Sequence, residues 1–501
     1  MASTKKRWVY KLWVQLFLLL GEIILLSTNR TFAQSITLDG TLGPAKVLTG
    51  PDYNIRQEDG TTVGTNLFHS FGQFNLKVNE QAIFKSADNI KSIFSRVTGG
   101  SPSVIDGLLR GESNAVNLFF INPNGIIFGS NARLDVGGKA RGSFVATTLD
   151  SIVWADGSKF SAINPNGSSS LLKIVGDPTG FAASLKQPGA IEVKSGANLT
   201  NGSYINRPYT LPRSTYDGQS LLLLGGDVKV DGATIQASGG RVELGGLAAP
   251  GAVGLNVDGN ILSLSFPENV TRASVSLTNS SVVDVQSNGG GSIGINTQNL
   301  DILQGSVLKA GIAPKKGSPS SKAGDVQINA TGNILFDGEQ PVKDFLSSGI
   351  YNRVEGGAQG QSGNININAG TLSLNTGAVV TSSILGSGKA GDINLNVRGQ
   401  AFFDGEGLYD TFPSGIYSQV LKGAQGQGGN ININAGTLSV SKGAVITNSI
   451  LEIEKNGNIN KAGDINIHVS DKASFTGERN SGGKPNFATE DPRTLASGVY
   501  S

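Results

Sequence analysis

The fold is decided by the stretch Gly363-Asn364-Ile365-Asn366-Ile367-Asn368, a phrase that recurs through the second half of the chain. The other copies begin with glycine and alternate apolar with polar residues in the same way: Gly324–Asn329, Gly391–Asn396, Gly429–Asn434 and Gly463–His468. Strict alternation predicts a half-buried β-strand with Ile or Val on one face and Asn on the other. The leading glycine predicts a positive φ at the turn into each strand.

Further phrases repeat with the first one. They are Ala369–Leu374 with Ala435–Val440, Gly377–Ser382 with Gly443–Asn448, and the Tyr-ending set Ser348–Tyr351, Ser414–Tyr417 and Ser497–Tyr500. The large unit, from Gly363 to Gly429, is 66 residues long. Because it holds several strand-and-turn phrases, we predict that it forms about three coils of a solenoid.

A solenoid explains how such short strands bury an apolar face. Coils stacked about 4.8 Å apart pair each strand with the one above and build a continuous core. Upstream phrases at Gly225–Val230 and Gly240–Leu244 extend the pattern toward the N-terminus. A propeller or a string of sandwiches is the alternative, but insertions of varying length, as at 207–218 and 315–319, favour a solenoid.

The N-terminus has the pattern of a signal peptide. Positive residues at Lys5, Lys6, Arg7 and Lys11 precede an apolar run over 12–26, and small residues before Gln34 predict cleavage after Ala33. A transmembrane anchor is the alternative. It is disfavoured because the run is shorter than the roughly 20 residues of a membrane span and contains Glu22.

Composition narrows the class of protein. Seventy of the 501 residues are glycine and none is cysteine, so disulfides do not hold the fold. The net charge of +2 gives no electrostatic reason to expect a nucleic-acid or anionic-membrane partner.

The region from Ile36 to Thr148 carries a different set of phrases. They include the aromatic-rich Leu67–Phe74, then Ile93–Gly100, and then Asn117–Gly129. Within the last, Asn122-Pro123-Asn124-Gly125-Ile126 predicts a tight turn between two strands, because Pro123 presets φ and Asn124-Gly125 suits the positive φ that follows. Asn122 can bond its own backbone across that turn. By itself this is only a β-turn.

Together, these ordered phrases resemble the secretion domain of filamentous haemagglutinin-like exoproteins, especially the cyanobacterial type, over about Ser35 to Thr148. The resemblance implies a right-handed β-helix that is recognised by the periplasmic POTRA domains of a partner outer-membrane β-barrel. With the repeats, it gives an all-β fold: a single-stranded right-handed parallel β-helix of the pectin-lyase-like solenoid type. Carried onto this chain, it places Asn122, Pro123, Asn124, Gly125 and Ile126 in the secretion-motif turn.

This sequence departs from the family at one point. A second family motif, Asn-Pro-Asn-Leu, is absent, and Arg96–Gly100 lies where it is expected. Another Asn-Pro-Asn-Gly, at 164–167, lies outside the matched phrases and is interpreted as an ordinary turn.

An enzyme on the same scaffold is the main rival, since a polysaccharide-active site needs clustered carboxylates. Here the Asp residues recur beside Gly in every repeat, as turn chemistry predicts: Asp325, Asp337, Asp392, Asp404 and Asp464. A stacked ladder of Asp325, Asp392 and Asp464 would be a cation site only if the coils place them together. His69, among Phe residues, and His468, in place of a strand Asn, are interpreted as structural. We therefore expect no catalytic residues, metal or cofactor.

The expected organisation is a signal peptide over 1–33, a two-partner secretion domain over 34–150 and a β-helix repeat region over 151–501. The last phrase, Gly498-Val499-Tyr500-Ser501, matches the middle of a repeat, which predicts truncation at the C-terminus. We expect export through the periplasm to the cell surface or medium, and an adhesive or surface-structural role with a carbohydrate as the target. A secreted polysaccharide-active enzyme is the alternative. Toxin delivery would need a C-terminal toxin domain, and none is visible.

Overall fold

The computed structural model describes residues 35–113, 115–137, 142–165, 171–174, 176–184, 187–200, 218–258, 261–339, 347–405, 407, 413–451, 460–477 and 498–500. The signal peptide and its cleavage site at Ala33 and Gln34 lie outside these ranges. No helix among the described residues has the length and apolar character needed to cross a membrane.

The described chain is built from short strands. The N-terminal ones, with one 3-10 helix, are β1 (Ile36–Leu38), β2 (Lys46–Val47), β3 (Asp52–Ile55), the 3-10 helix (Gln57–Asp59), β4 (Thr61–Val63), β5 (Asn66–Phe74), β6 (Gln81–Phe84), β7 (Ser92–Val97), β8 (Ser103–Ile105), β9 (Leu108–Gly111), β10 (Asn117–Ile121), β11 (Ile126–Phe128) and β12 (Arg133–Asp135). The middle ones are β13 (Phe144–Thr147), β14 (Ser151–Val153), β15 (Lys159–Ser161), β16 (Gly180–Ala183), β17 (Ile191–Val193), β18 (Asn198–Thr200), β19 (Ser220–Gly225), β20 (Val228–Asp231), β21 (Thr234–Gln236), β22 (Arg241–Gly246), β23 (Gly251–Asp258), β24 (Ile261–Ser265), β25 (Val275–Thr278), β26 (Val282–Asp284), β27 (Ser292–Thr297) and β28 (Leu300–Leu303). The C-terminal ones are β29 (Val307–Ile312), β30 (Gly317–Lys322), β31 (Val326–Ala330), β32 (Asn333–Asp337), β33 (Gly349–Val354), β34 (Gln359–Gln361), β35 (Ile365–Ala369), β36 (Thr371–Asn375), β37 (Val379–Thr381), β38 (Ser387–Lys389), β39 (Ile393–Asp404), β40 (Gly415–Tyr417), β41 (Gln425–Gln427), β42 (Ile431–Ser441), β43 (Val445–Thr447), β44 (Ile465–Thr476) and β45 (Gly498–Tyr500).

The strands wind into a parallel β-helix with three faces per coil, which confirms the predicted fold. In one coil β10 lies on the first face, β11 on the second and β12 on the third, and each pairs in parallel with strands of the neighbouring coils. Inward-pointing Ile, Leu, Val and Phe side chains form one core that runs from Ile36 to Ile446. Antiparallel strands β1, β2 and β4 join the edge of the first coil at β5.

The 66-residue repeat corresponds to two coils, so the prediction of three coils is wrong. The hydrogen-bonded pair Asn366 and Asn394 is 28 residues apart, and the next pair, Asn394 and Asn432, is 38 residues apart. Each coil is longer than its strands alone require, because it also carries outward segments. One of these leads to the extra four-stranded parallel sheet of β30, β34, β38 and β41.

The third face shows why two coils form the repeating unit. Val307, Tyr351, Val379, Tyr417 and Val445 pack into one outer cluster, so valine and tyrosine alternate from coil to coil. The strand with Tyr has glycine where its neighbours have valine, as Gly349 opposite Val379 and Gly415 opposite Val445 show. A large residue beside a small one fills the surface without a gap, and this alternation gives the sequence a period of two coils.

The glycine that begins each repeated phrase is required by close packing, so the predicted positive φ is wrong. A Cβ atom on Gly391 would lie 2.0 Å from the carbonyl oxygen of Gly363, and one on Gly429 would lie 2.0 Å from that of Gly391. None of these glycines is among the described residues with positive φ. Only hydrogen fits where consecutive backbones approach so closely.

A second hydrophobic core lies outside the solenoid. The first face turns Phe68, Phe94, Phe119, Val145 and Leu222 outward, and the five-stranded antiparallel sheet β15-β14-β16-β23-β24 covers them. This covering sheet is inserted in two pieces, between β13 and β17 and between β22 and β25.

Candidate functional site

The predicted secretion-motif turn forms a corner of the solenoid, between β10 on the first face and β11 on the second. The amide N–H of Gly125 donates to the carbonyl of Asn122 at 3.1 Å, which closes the turn. The side-chain oxygen of Asn122 accepts the N–H of Asn124 at 3.0 Å. Gly125 has a φ of +124°, a conformation that side chains rarely adopt. The local turn is therefore the one that the sequence predicts.

The turn also bonds the coils on both sides. The side-chain amide of Asn122 donates to the carbonyl of Ser101 at 3.1 Å and to the Ser103 hydroxyl at 3.0 Å, both on the preceding coil. The Asn124 amide donates to the carbonyl of Gly99 at 2.7 Å. On the following coil, Gly189 donates its N–H to the carbonyl of Pro123 at 3.0 Å. Three successive coils meet at this corner.

Burial limits what this corner can contact. Asn122 and Ile126 are both completely buried. Pro123 and Gly125 are buried too, and only Asn124 is partly exposed. In the folded chain, the turn offers a partner little besides Asn124.

A buried polar cluster around Arg96 was not expected from the sequence. The Arg96 guanidinium donates from Nε to the Ser70 hydroxyl at 2.8 Å, from Nη1 to the Ser161 carbonyl at 2.9 Å and from Nη2 to the Thr41 hydroxyl at 3.1 Å. It also lies over the Phe160 ring, 4.5 Å from its centroid. These contacts join the first face, the segment after β1 and the covering sheet. The only sequence signal was a charged residue inside the apolar strand Ser92–Val97.

Asp39 completes the Arg96 cluster. Its carboxylate accepts hydrogen bonds from the hydroxyls of Ser70 at 2.6 Å, Thr98 at 2.7 Å and Thr41 at 2.7 Å. Burial raises the pKa of Asp39, but these bonds outweigh it and the pKa lies below its ordinary value. Burial lowers the pKa of Arg96 to about 10, against the attraction of Asp39. At neutral pH both groups are charged.

His69 is structural, as the sequence analysis expects. It is completely buried and packs against Phe71 and Phe84. Burial lowers the pKa of His69 to about 4, although the nearby Asp59 opposes the shift. The ring is therefore neutral at neutral pH.

We expect stability to fall on acidification because of His69. The unfolded imidazole takes up a proton below about pH 6.5, whereas the folded one resists it down to about 4. The contribution of His69 is thus fully present above pH 6.5, and up to about 3 kcal/mol of it is lost as the pH falls toward 4. Urea unfolding at stepped pH should show this loss in the wild type and less of it in His69→Leu. Equal curves for the two proteins would contradict the assignment.

The aspartates of the repeated phrase are not stacked on one another, because asparagines separate them. On successive coils, each backbone N–H at this position donates to the side-chain oxygen of the residue one coil earlier. The bonds run from Asn364 to Asp325 at 2.7 Å, from Asp392 to Asn364 at 2.9 Å and from Asn430 to Asp392 at 2.7 Å. Each acidic side chain is thus two coils from the next, which avoids repulsion between like charges. Asp337 and Asp404 are likewise separated by Asn375. Among the described residues, no group of three or more His, Cys, Asp or Glu side chains is arranged to hold a metal ion.

The remaining predicted positions lie apart from the corner. His468 is exposed on the first face, where it continues a column of asparagines above Asn434. In the second Asn-Pro-Asn-Gly, Asn164 donates its N–H to the Ser161 hydroxyl at 3.2 Å, and the segment from residue 166 is outside the described residues.

Comparison with known proteins identifies the family. The model of the TPS secretion domain matches residues 34–302, which extends beyond the phrases between Ser35 and Thr148. Among solved structures, the HMW1 secretion domain from Haemophilus influenzae is similar, with 18% identity, a TM-score of 0.42 and coverage of 85% of this chain and 96% of that one. No curated protein sequence matches this chain.

A TPS secretion domain marks a protein that is exported to the cell surface or the extracellular space with the help of an outer-membrane transporter. Its family model covers more than half of the 501 residues. The chain therefore belongs to the TPS secretion domain family and is a two-partner secreted exoprotein.

Proposed function

We propose that the N-terminal secretion domain leads the chain through the outer membrane by engaging the periplasmic POTRA domains of the transporter. Outside the cell, the protein then acts as a non-enzymatic adhesin or surface-structural protein. Cleavage of the signal peptide between Ala33 and Gln34 precedes this step. The observation that supports this proposal is the corner at Asn122–Ile126, which forms hydrogen bonds with the coils before and after it.

The burial of that corner suggests how it contributes to export. In the folded state Asn122 and Ile126 are inaccessible, so a transporter could contact this motif only at Asn124. We infer that the transporter contacts the segment before the coils close, and that closure of the corner then retains the emerging chain outside. The hydrogen bonds of Asn122 stabilise the closed state.

Asn122→Ala should reduce export. The substitution leaves the Ser103 hydroxyl and the Ser101 carbonyl without their buried partner, which costs about 1–3 kcal/mol. Immunoblotting of culture medium from cells that also make the transporter should show less extracellular protein and more in the periplasm. Asn131→Ala is the matched control. Asn131 lies in the exposed turn between β11 and β12 of the same coil, and its side chain donates a hydrogen bond to Asp106. Full secretion of a chain lacking residues 122–126 would contradict the proposal.

The adhesive role is supported by the outer surface of the coils. Asn side chains recur there on the successive coils of β31, β35, β39 and β42, so a weak contact with a carbohydrate would be repeated several times. Asp325 and Asp392 are separated by Asn364 and so do not form the pair of carboxylates that acid–base hydrolysis of a sugar chain uses. Cleavage of acidic or neutral polysaccharides by the purified protein would overturn the non-enzymatic assignment.

A further inference from the structure

The outer side of the first face changes character along the solenoid. One register column runs through Phe68, Phe94, Phe119, Val145, Leu222, Glu243, Gly294, Gln327, Asn366, Asn394, Asn432 and Asn466. The aromatic and aliphatic members lie beneath the covering sheet. From Gln327 onward the column consists of amides. No described strand of the covering sheet lies over them.

A second amide column runs beside the first. Its members, Asn296, Asn329, Asn368, Asn396 and Asn434, are joined by side-chain hydrogen bonds of 3.1, 2.9, 3.1 and 3.0 Å. In the first column, Asn366, Asn394, Asn432 and Asn466 are joined at 2.9, 2.8 and 2.9 Å. We call these two runs the amide columns.

The hydrogen bonds between adjacent coils orient every amide in the columns. A side-chain amide has two N–H donors and two acceptor lone pairs. One bond to the preceding coil and one to the following coil use one donor and one acceptor. Asn329 also accepts a hydrogen bond from the Gln327 side chain. Each of the other interior asparagines retains one donor and one acceptor, which recur about every 4.8 Å along the solenoid. Because hydrogen bonds to neighbouring asparagines already fix these side chains, binding a ligand would cost little side-chain entropy.

An open groove of about 450 Å³ adjoins the columns at their C-terminal end. Its lining includes Asn396 and Asn434 on one column, with Arg398, His468 and Ser470 beside them. Arg398 is directed back to the carbonyl of Thr331, to which it donates at 2.7 Å. The groove thus presents amide groups with apolar atoms between them, and Arg398 is its one cationic side chain among those that line it.

We infer that the amide columns and this groove bind a neutral polysaccharide. Sugar hydroxyls both donate and accept hydrogen bonds, which matches an array of paired amide donors and acceptors, and a polymer would engage several coils at once. The columns contain no carboxylate that would hold a cation and no cluster of cationic side chains that would select an acidic polymer. This assignment rests on the proposed adhesive function and gives it a site.

The test is affinity electrophoresis of the mature secreted protein in native gels that contain dextran, galactomannan or mixed-linkage β-glucan, with alginate as the acidic probe. The wild type should be retarded by at least one of the neutral polymers and not by alginate. The double variant Asn394→Ala and Asn396→Ala should bind that polymer about tenfold more weakly, as expected from two or three lost hydrogen bonds. The double variant Ser373→Ala and Ser439→Ala alters the outer side of the second face and should bind like the wild type.

A gain of binding provides a test that misfolding cannot mimic. His468→Asn extends the column above Asn434 by one amide, so the dissociation constant should fall about twofold. Thermal unfolding of each variant reports on the fold separately.

The failures are distinguishable. If the amide variants bind the polymer as the wild type does, the site is wrong while the adhesive function stands. If only alginate retards the wild type, the ligand class is wrong. If the amide variants lose self-association by light scattering while no polymer retards the wild type, the columns pair with a second copy and the inference is overturned. If no polymer retards the wild type and cells that secrete it do not adhere to surfaces, the adhesive function is wrong as well.

Discussion

Arg96→Leu should destabilise the N-terminal coils by about 3 kcal/mol, because the buried hydrogen-bond partners of the guanidinium lose their donor. These partners are the Ser161 carbonyl and the Ser70 hydroxyl, and the partly buried Thr41 hydroxyl loses a bond as well. Since Arg96 joins the first face to the covering sheet and to the segment after β1, both should loosen together. Hydrogen exchange should show faster exchange in β1 and β15 than in coils far from them.

The control for Arg96 is a surface ion pair in the same region. Lys85 lies 3.9 Å from Glu112, and the two side chains are 46% and 41% exposed. Lys85→Leu should change the free energy of unfolding by less than about 1 kcal/mol. Equal stability of Arg96→Leu and the wild type would show that the cluster does not hold these elements together.

Gly391→Ala should separate the coils on either side of it, at a cost of about 3 kcal/mol. The new Cβ atom would lie 2.0 Å from the carbonyl oxygen of Gly363 and 2.8 Å from the N of Asn364, and neither backbone atom can move without breaking a strand pairing. A solenoid is stabilised coil by coil, so the effect should be local. Limited proteolysis should cut near the altered coil while the N-terminal coils stay intact.

Gly356→Ala is the matched control for Gly391. No atom lies within 4 Å of the Cβ position at Gly356, and its φ is not in the region that favours glycine. This variant should differ from the wild type by less than about 0.5 kcal/mol in the free energy of unfolding. If both glycine variants resist proteolysis equally, close approach of the backbones does not explain the recurring glycine.

The repeats and the turn were predictable because their causes are local. Alternation of Ile with Asn over 363–368 is set by the two-sided geometry of a strand, so a solenoid of stacked strands follows from the sequence. The turn at 122–126 is likewise determined by the fixed φ of Pro123 and the tolerance of Gly125 for a positive φ.

Only the tertiary structure shows which residues of adjacent coils become neighbours, and the contacts between coils depend on this. The sequence contains Asp325 and Asp392, but only the register shows that Asn364 lies between them and prevents an acidic ladder. The close approach behind Gly391, and the bonds from Asn122 to the preceding coil, depend on the same register. Arg96 reaches Ser161 across 65 residues of chain, and the covering sheet that buries it was not evident from the strand pattern. Strand periodicity is a property of one segment. These contacts depend instead on the number of residues in each coil, and that number varies because the insertions differ in length.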